Sequence, residues 1–242
     1  VDVDEVRASP AILQWEDANG QDIPPEQIAD HPVNDDFAAK VDVLGYGFRN
    51  IFGVAFAPSD LPFAGAAYTA MNGADSPASQ DALYKITPGA DHGFPRCYNV
   101  GPAGGTGDEV SAVPAPDEPD ADCTGVPPAT ALLGWHTCAT GLDFPTDGPA
   151  SFPETMHQSV FVAECAVFFA NDWVTQVAQD EGLPHHSVSH KVVRVPLDQD
   201  GEATAVQDFV TGLALPTDVL FGPDGAMYIA DAEGIFRVAP VG

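Results

Sequence analysis

The sequence predicts an all-β chain built as a β-propeller, in which one antiparallel unit is repeated around an axis. Three observations carry that prediction. Gly and Pro number 23 each in 242 residues, well above ordinary usage, so turns are frequent and strands short. Helical periodicity is weak, since only 30–40 and 174–181 offer a turn or two, and neither would carry a fold. One pattern recurs: a short apolar strand, a turn, a second apolar strand, a gap, and a strand bearing a base.

The first copy runs Gly53-Val54-Ala55-Phe56, Ala67-Tyr68-Thr69-Ala70 and Ala82-Leu83-Tyr84-Lys85-Ile86. The second is Gly141-Leu142-Asp143-Phe144, Val160-Phe161-Val162-Ala163 and Lys191-Val192-Val193-Arg194-Val195. The third is Asp218-Val219-Leu220-Phe221, an Asp224-Gly225 turn, Met227-Tyr228-Ile229-Ala230 and Gly234-Ile235-Phe236-Arg237-Val238. Ahead of them, Ala11-Ile12-Leu13-Gln14-Trp15 with Asn19-Gly20 reads as the last strand and turn of a preceding unit. Arg194-Val195-Pro196-Leu197 with Asp200-Gly201 reads in the same way. The chain is thus expected to be a single, partial propeller domain over 1–242, of about three to four blades, starting near the end of a blade. Excursions at 101–128 and 168–189 exceed ordinary connections and are placed on one rim.

Charge excludes several functions. Asp and Glu number 36 against 8 Lys and Arg, a net charge of −28. Nucleic acid and anionic membrane surfaces need clustered cations that this chain lacks. A hydrophobic share of 45% with 14 Phe supports a real core, and no run approaches the ~18 apolar residues of a membrane span. The opening Val1-Asp2-Val3-Asp4-Glu5 is not a signal peptide. With no initiator Met, the chain is expected to be a processed product or a piece of something longer. Asp outnumbers Glu by 26 to 10 and Lys is limited to Lys40, Lys85 and Lys191. That bias suits a salt-adapted surface or a generally acidic secreted protein.

Cys97, Cys123, Cys138 and Cys165 show no CxxC spacing, which removes support for zinc and for thioredoxin-like chemistry. Cys97 and Cys123 flank the excursion at 101–128, whose closure would restrict the unfolded chain. Cys138 and Cys165 are expected on neighbouring strands of one blade. Of three pairings, Cys97–Cys123 with Cys138–Cys165 is favoured, and with it an oxidising compartment, periplasmic or extracellular.

The stretch Gly47-Phe48-Arg49-Asn50-Ile51-Phe52-Gly53-Val54-Ala55-Phe56 resembles the "G-[LH]-R-N-P-x-G-[LM]-A-F" strand of the glucose/sorbosone dehydrogenase family, the soluble quinoprotein sugar dehydrogenases. Asn72-Gly73 with Asp81-Ala82-Leu83-Tyr84, and then Pro88-Gly89-Ala90-Asp91-His92-Gly93-Phe94-Pro95, resemble further pieces of that family in the same order. Asp208-Phe209-Val210-Thr211-Gly212 and Gly222-Pro223-Asp224-Gly225-Ala226-Met227-Tyr228 are similar to its last two blades. The resemblance covers about 43–238. It implies the C-terminal half of a six-bladed propeller that oxidises aldose or aldehyde sugars by hydride transfer to calcium-bound pyrroloquinoline quinone (PQQ). The family's general base, a His on an earlier blade, would lie upstream of Arg49.

By the same resemblance Arg49 and Asn50 contact the quinone, and a planar cation suits an oxygen that becomes anionic on reduction. Asn72, Gly73 and Ala74 match the loop that offers carbonyls to calcium, with Asp75 as a further carboxylate. Asp81 matches an acidic position beside the active site and is grouped with Arg49 as catalytic. His136, in Gly134-Trp135-His136-Thr137-Cys138, is similar to the entry of the fifth blade and is expected to hydrogen-bond a ligand or to sit satisfied on the rim. The chain departs from the family where Ala166, Leu215 and Thr217 stand in place of cations, and each loss removes a counterion for the quinone's carboxylates.

Other motifs carry less. His185, His186 and His190 have metal-ligand spacing on a helix, but Pro184 makes a solvated loop the better reading. Gly104-Gly105-Thr106-Gly107 lacks the Lys of a phosphate loop. Two rivals to the dehydrogenase remain: a non-catalytic propeller that binds sugar or protein, and a lactonase-like propeller in which calcium alone activates water. Expected partners are a small sugar or aldehyde and an electron-acceptor protein.

Overall fold

Each apolar run of the repeat forms a strand, and the strands assemble into blades. The computed structural model describes residues 44–165 and 190–240, apart from Asp75 and Pro77. The predicted features at 11–20, 30–40 and 174–181, with most of the excursion at 168–189, lie outside the described residues. Residues from Gly45 onward form one compact unit.

Blade 1 is a four-stranded antiparallel sheet of β1 (Asn50–Phe56), β2 (Ala67–Asn72), β3 (Asp81–Lys85) and β6 (Ala131–Gly134), in that spatial order. Between β3 and β6 the chain makes a separate hairpin of β4 (Cys97–Val100) and β5 (Ser111–Pro114). Blade 2 pairs β7 (Ala139–Asp143), β8 (Ser159–Glu164), β9 (Lys191–Pro196) and β10 (Gln207–Thr211) in sequence order. The third sheet holds β11 (Asp218–Phe221), β12 (Met227–Asp231) and β13 (Gly234–Val238).

One expectation is corrected. Arg194 to Pro196 belong to β9, the third strand of blade 2, and the fourth is β10. The turn at Asp198–Gly201 connects the two, with the Gly201 N–H donating to the Asp198 carbonyl at 3.1 Å. Strand β10 holds only two apolar residues, Phe209 and Val210, so its signal in the sequence is weak.

Strand β8 reads as an unbroken apolar run because blades cover it on both faces. In β8 every residue is buried. Val160 and Val162 face Tyr68, Leu83 and Leu133 of blade 1, while Phe161 and Ala163 face Val219, Phe221 and Ile229 of the third sheet. Full burial of a residue such as Phe161 stabilises by ~1.5–3 kcal/mol. The far face of blade 1, with Met71, Ala82, Tyr84 and Leu132, is packed by Phe48, Val110 and Ala129 of the flanking segments. The excursion at 101–128 is therefore ordered. Asn99 Nδ2 donates to the Tyr84 hydroxyl at 2.6 Å, the Cys97–Cys123 disulfide closes its base, and Gly104 and Gly105 bond the Leu132 backbone along β6.

Inner strands approach one another through glycines. A Cβ on Gly141 would stand 2.6 Å from Asp218 Cα, so a side chain there would force β7 and β11 apart. Gly53 fills the matching place on β1, where a Cβ would meet Leu142 Cδ2 at 3.1 Å. Both strands bulge at this point, between Ile51 and Val54 and between Ala139 and Leu142.

Candidate functional site

Alternating strand direction gathers distant residues on one rim. Arg49 precedes β1, Asn72 ends β2, Asp81 opens β3, and His136 lies in the link from β6 to β7. Cys165 follows β8, His190 precedes β9, and Asp231 ends β12 at the same rim.

Asp81 is the centre of this arrangement and is 1% exposed. Its Oδ1 accepts the Gly73 N–H at 2.8 Å, and its Oδ2 accepts the Cys138 N–H at 2.7 Å and the Thr137 hydroxyl at 3.1 Å. Burial raises its pKa above the ordinary carboxylate value, while those donors and the nearby His136 pull it back. Three donors on one carboxylate favour its ionised form. Asp81 therefore clasps the 72–74 loop to the link between blades.

That link is conformationally costly. His136 and Cys138 both adopt the left-handed region, at φ 51° and 57°, which non-glycine residues enter only when surrounding contacts enforce it. The enforcing contacts are the Asp81 bonds and the Cys138–Cys165 disulfide, beside which the Cys165 N–H donates to the Cys138 carbonyl at 3.0 Å.

At the loop, Arg49 Nη1 donates to the Asn72 carbonyl at 3.5 Å, and exposed Asn50 pairs with Asn72 across the strands. Asn72 Oδ1 is buried and finds no hydrogen-bond partner among the described residues. The Ala74 N–H donates to Ser79 Oγ at 2.8 Å. A Cβ on Gly73 would meet the Gln80 carbonyl oxygen at 2.6 Å, so the tight loop requires glycine. Asp75, proposed from sequence as a further ligand, lies outside the described residues, as do Ala166, His185 and His186. Described His190 is held by the Ala214 carbonyl through Nδ1. No group of three His, Cys, Asp or Glu able to hold a metal occurs among the described residues.

Beside the rim, β1, β7 and β11 bound an open cleft of about 600 Å³. Phe52, Val54 and Leu220 give it apolar walls, Asp143 and Asp218 give it carboxylates, and Cys138 and Cys165 border it. Thr217, where the resemblance led to a cation, lines it too. Arg49, Asn50, Asp81 and His136 do not line it. Asp143 Oδ2 accepts the Phe221 N–H at 2.7 Å. Burial raises the Asp143 pKa, two backbone donors lower it, and Asp218 raises it.

Sequence reasoning missed Asp143, Asp218 and Glu164. The first two had a signal, because aligning the repeats Gly53-Val54-Ala55-Phe56, Gly141-Leu142-Asp143-Phe144 and Asp218-Val219-Leu220-Phe221 shows acids on inner strands. Glu164 had none. It is fully buried at the end of β8, opposite Lys191 of β9, and neither carboxyl oxygen has a hydrogen-bond partner among the described residues.

No protein-family model matches the chain, and no curated protein matches it in sequence. Solved structures do match in fold. A calcium structure of a Trichoderma reesei carbohydrate-active enzyme of family AA12 aligns at TM-score 0.59 and 14% identity, over 80% of this chain and 52% of that one. Two glucose dehydrogenase structures align at TM-scores of 0.54 and 0.52, with 18% and 19% identity. Both cover 96% of this chain, and 51% and 52% of theirs. The fold is the β-propeller fold of these structures, and the chain spans about half the length of the structures it matches. The resemblance seen in the motifs extends to the architecture.

Proposed function

We propose that this chain forms part of a quinone- and calcium-dependent sugar dehydrogenase and carries residues of its cofactor site. The observation that supports this most is convergence. Arg49 and Asn50, the Asn72–Gly73–Ala74 loop, Asp81 and His136, singled out from separate stretches of sequence, meet on one rim of blades 1 and 2.

The donor set fits calcium in one specific respect. Asn72 Oδ1 is a buried amide oxygen without a donor among the described residues, the hard neutral ligand such an ion takes, and the Asp81 clasp holds its loop in shape. Asn72, Gly73 and Ala74 would hold the ion, and Asp75 stands next in sequence. For PQQ the fit is narrower. Arg49 and Asn50 offer a guanidinium and an amide, whereas Lys191, the other described cation at this rim, is engaged by Asp208 at 2.6 Å. PQQ held there would supply a two-electron acceptor, and calcium a Lewis acid.

In this reading Arg49 steadies an anionic oxygen at the rim, Asp81 fixes the loop, and His136 hydrogen-bonds a ligand from the lip. Phe52 and Val54 would limit water beside a sugar in the cleft. No general base is assigned among the described residues, so binding rather than turnover is the proper readout. The two disulfides support a periplasmic or secreted location. The described helices include none long and apolar enough to cross a membrane. A non-catalytic sugar-binding propeller is the second reading, favoured by the carboxylate-lined cleft with its sparse cations.

The test is calorimetric titration with PQQ in the presence and absence of calcium, on wild type, Arg49→Met and Asn72→Leu. Calcium-dependent PQQ binding that Arg49→Met weakens at least tenfold supports the dehydrogenase. Sugar binding without any PQQ binding favours the second reading.

A further inference from the structure

The seam between blades 1 and 2 buries a carboxyl group that the proposed chemistry does not use. Residues 160 and 162 of β8 face blade 1, so Glu164, two further on, faces the same way. On β3 Leu83 faces blade 2, so Asp81 faces the seam from the other side. The two acids thus meet across the blades at the rim. Asp81 has three donors, whereas among the described residues neither Glu164 oxygen has a hydrogen-bond partner, Lys191 Nζ standing off at 3.7 Å.

Among the described residues, the charged groups that act on Glu164 are Lys191, Asp81 and Asp208. Lys191 Nζ on β9 stands 3.7 Å from Oε2 but is closer to Asp208 of β10, at 2.6 Å. Asp81 acts on it from β3 and Asp208 from β10, both raising its pKa, while His136 in the link acts on Asp81. An ionised Glu164 would leave the buried seam with more negative charge than Lys191 offsets. A carboxylate without donors in such a place is costly, and a neutral carboxyl is not.

We propose that Glu164 is a positioning residue that keeps the seam closed by carrying a proton, and thereby keeps the Asp81 clasp on Gly73 and Cys138 intact. Glu164 adjoins Cys165, whose disulfide and backbone bond hold Cys138, so opening the seam loosens the same link that Asp81 grips. The inference concerns the clasp and stands whether or not the rim binds a quinone.

The sign follows from burial, which pushes the Glu164 pKa up to about 8 from 4.5. An opened, hydrated seam would return it to its ordinary value. The closed form then retains a proton that the open form releases between those limits. Opening therefore becomes easier by up to about tenfold per pH unit from pH 5 to 8, and levels off above.

Hydrogen exchange of the Gly73 and Cys138 amides between pH 5 and 9, corrected for base catalysis, reads this directly. Wild type should show the rise and plateau, and Glu164→Gln should be flat. Asp81→Asn, which removes an acid of the clasp but not the proton carrier, should retain the dependence at Cys138. Infrared difference spectra of wild type at neutral pH should hold a protonated carboxyl band that Glu164→Gln lacks. Equal pH profiles in wild type and Glu164→Gln, or the absence of that band, would overturn the proposal. If Glu164→Gln does not fold, the infrared band of wild type across pH 6 to 9 decides alone: loss near pH 8 supports it, and a carboxylate throughout overturns it.

Discussion

The Asp143 carboxylate accepts the backbone N–H of Phe221 at 2.7 Å, tying the inner strand of blade 2 to that of the third sheet. Its other oxygen accepts the N–H of Phe144 at 2.9 Å. Removing it by Asp143→Ala strips both amides of their acceptor and should cost about 1–3 kcal/mol in denaturant unfolding. Asp143→Asn keeps one acceptor oxygen and should lose less.

Gly141 is where the two inner strands come closest. Gly141→Ala places a methyl against the Asp218 backbone, which cannot move aside as a side chain can. A loss of about 3 kcal/mol is expected. Gly53→Ala meets only the tip of Leu142 and should cost less than about 1.5 kcal/mol. Comparing the two midpoints checks the claim, and equal losses would refute the close approach at Gly141.

Tyr68 joins blade 1 to the Asp198–Gly201 turn, its hydroxyl donating to the Gly201 carbonyl at 2.7 Å. Tyr68→Phe should cost about 1–2 kcal/mol. Burial raises the Tyr68 and Tyr84 pKa values well above 10, so the fold favours their neutral forms. That contribution is complete below pH 10 and is lost as pH rises beyond it. In an ultraviolet difference titration these two phenols should ionise only with alkaline unfolding.

Cys97 and Cys123 lie 26 residues apart and their disulfide closes the base of the excursion. Replacing both by Ser should lower stability by about 3–4 kcal/mol on the chain-entropy view. Peptide mapping without reductant should recover Cys97–Cys123 and Cys138–Cys165 and no other pair.

The repeat was readable because its signal is local. Val160-Phe161-Val162-Ala163 is short and rich in β-branched and aromatic residues, as a strand buried on both faces is, and Met227-Tyr228-Ile229-Ala230 reads as a strand that buries Met227 and Ile229 on one face. The fourth strands were less legible. Ala131–Gly134 and Gln207–Thr211 are short, and the first returns only after a long excursion, so Arg194 to Leu197 looked like a better last strand. Of the rim, Arg49, Asn50, Asn72 and Asp81 were legible through motif order, but not that Asp81 spends both oxygens on Gly73, Thr137 and Cys138.

By itself the sequence determined the apolar strands of the repeat and favoured the two disulfides that form, since both depend on residues whose spacing or chemistry is visible along the chain. Only the tertiary structure decided which polar groups lose their water. Glu164 reads as an ordinary acid ending a strand, and Asp143 as an ordinary acid within one. Packing one blade on another buries the first with no donor among the described residues and gives the second an amide from a strand far along the chain. Desolvation depends on what packs opposite, and that is set by the stacking of blades rather than by neighbours in sequence.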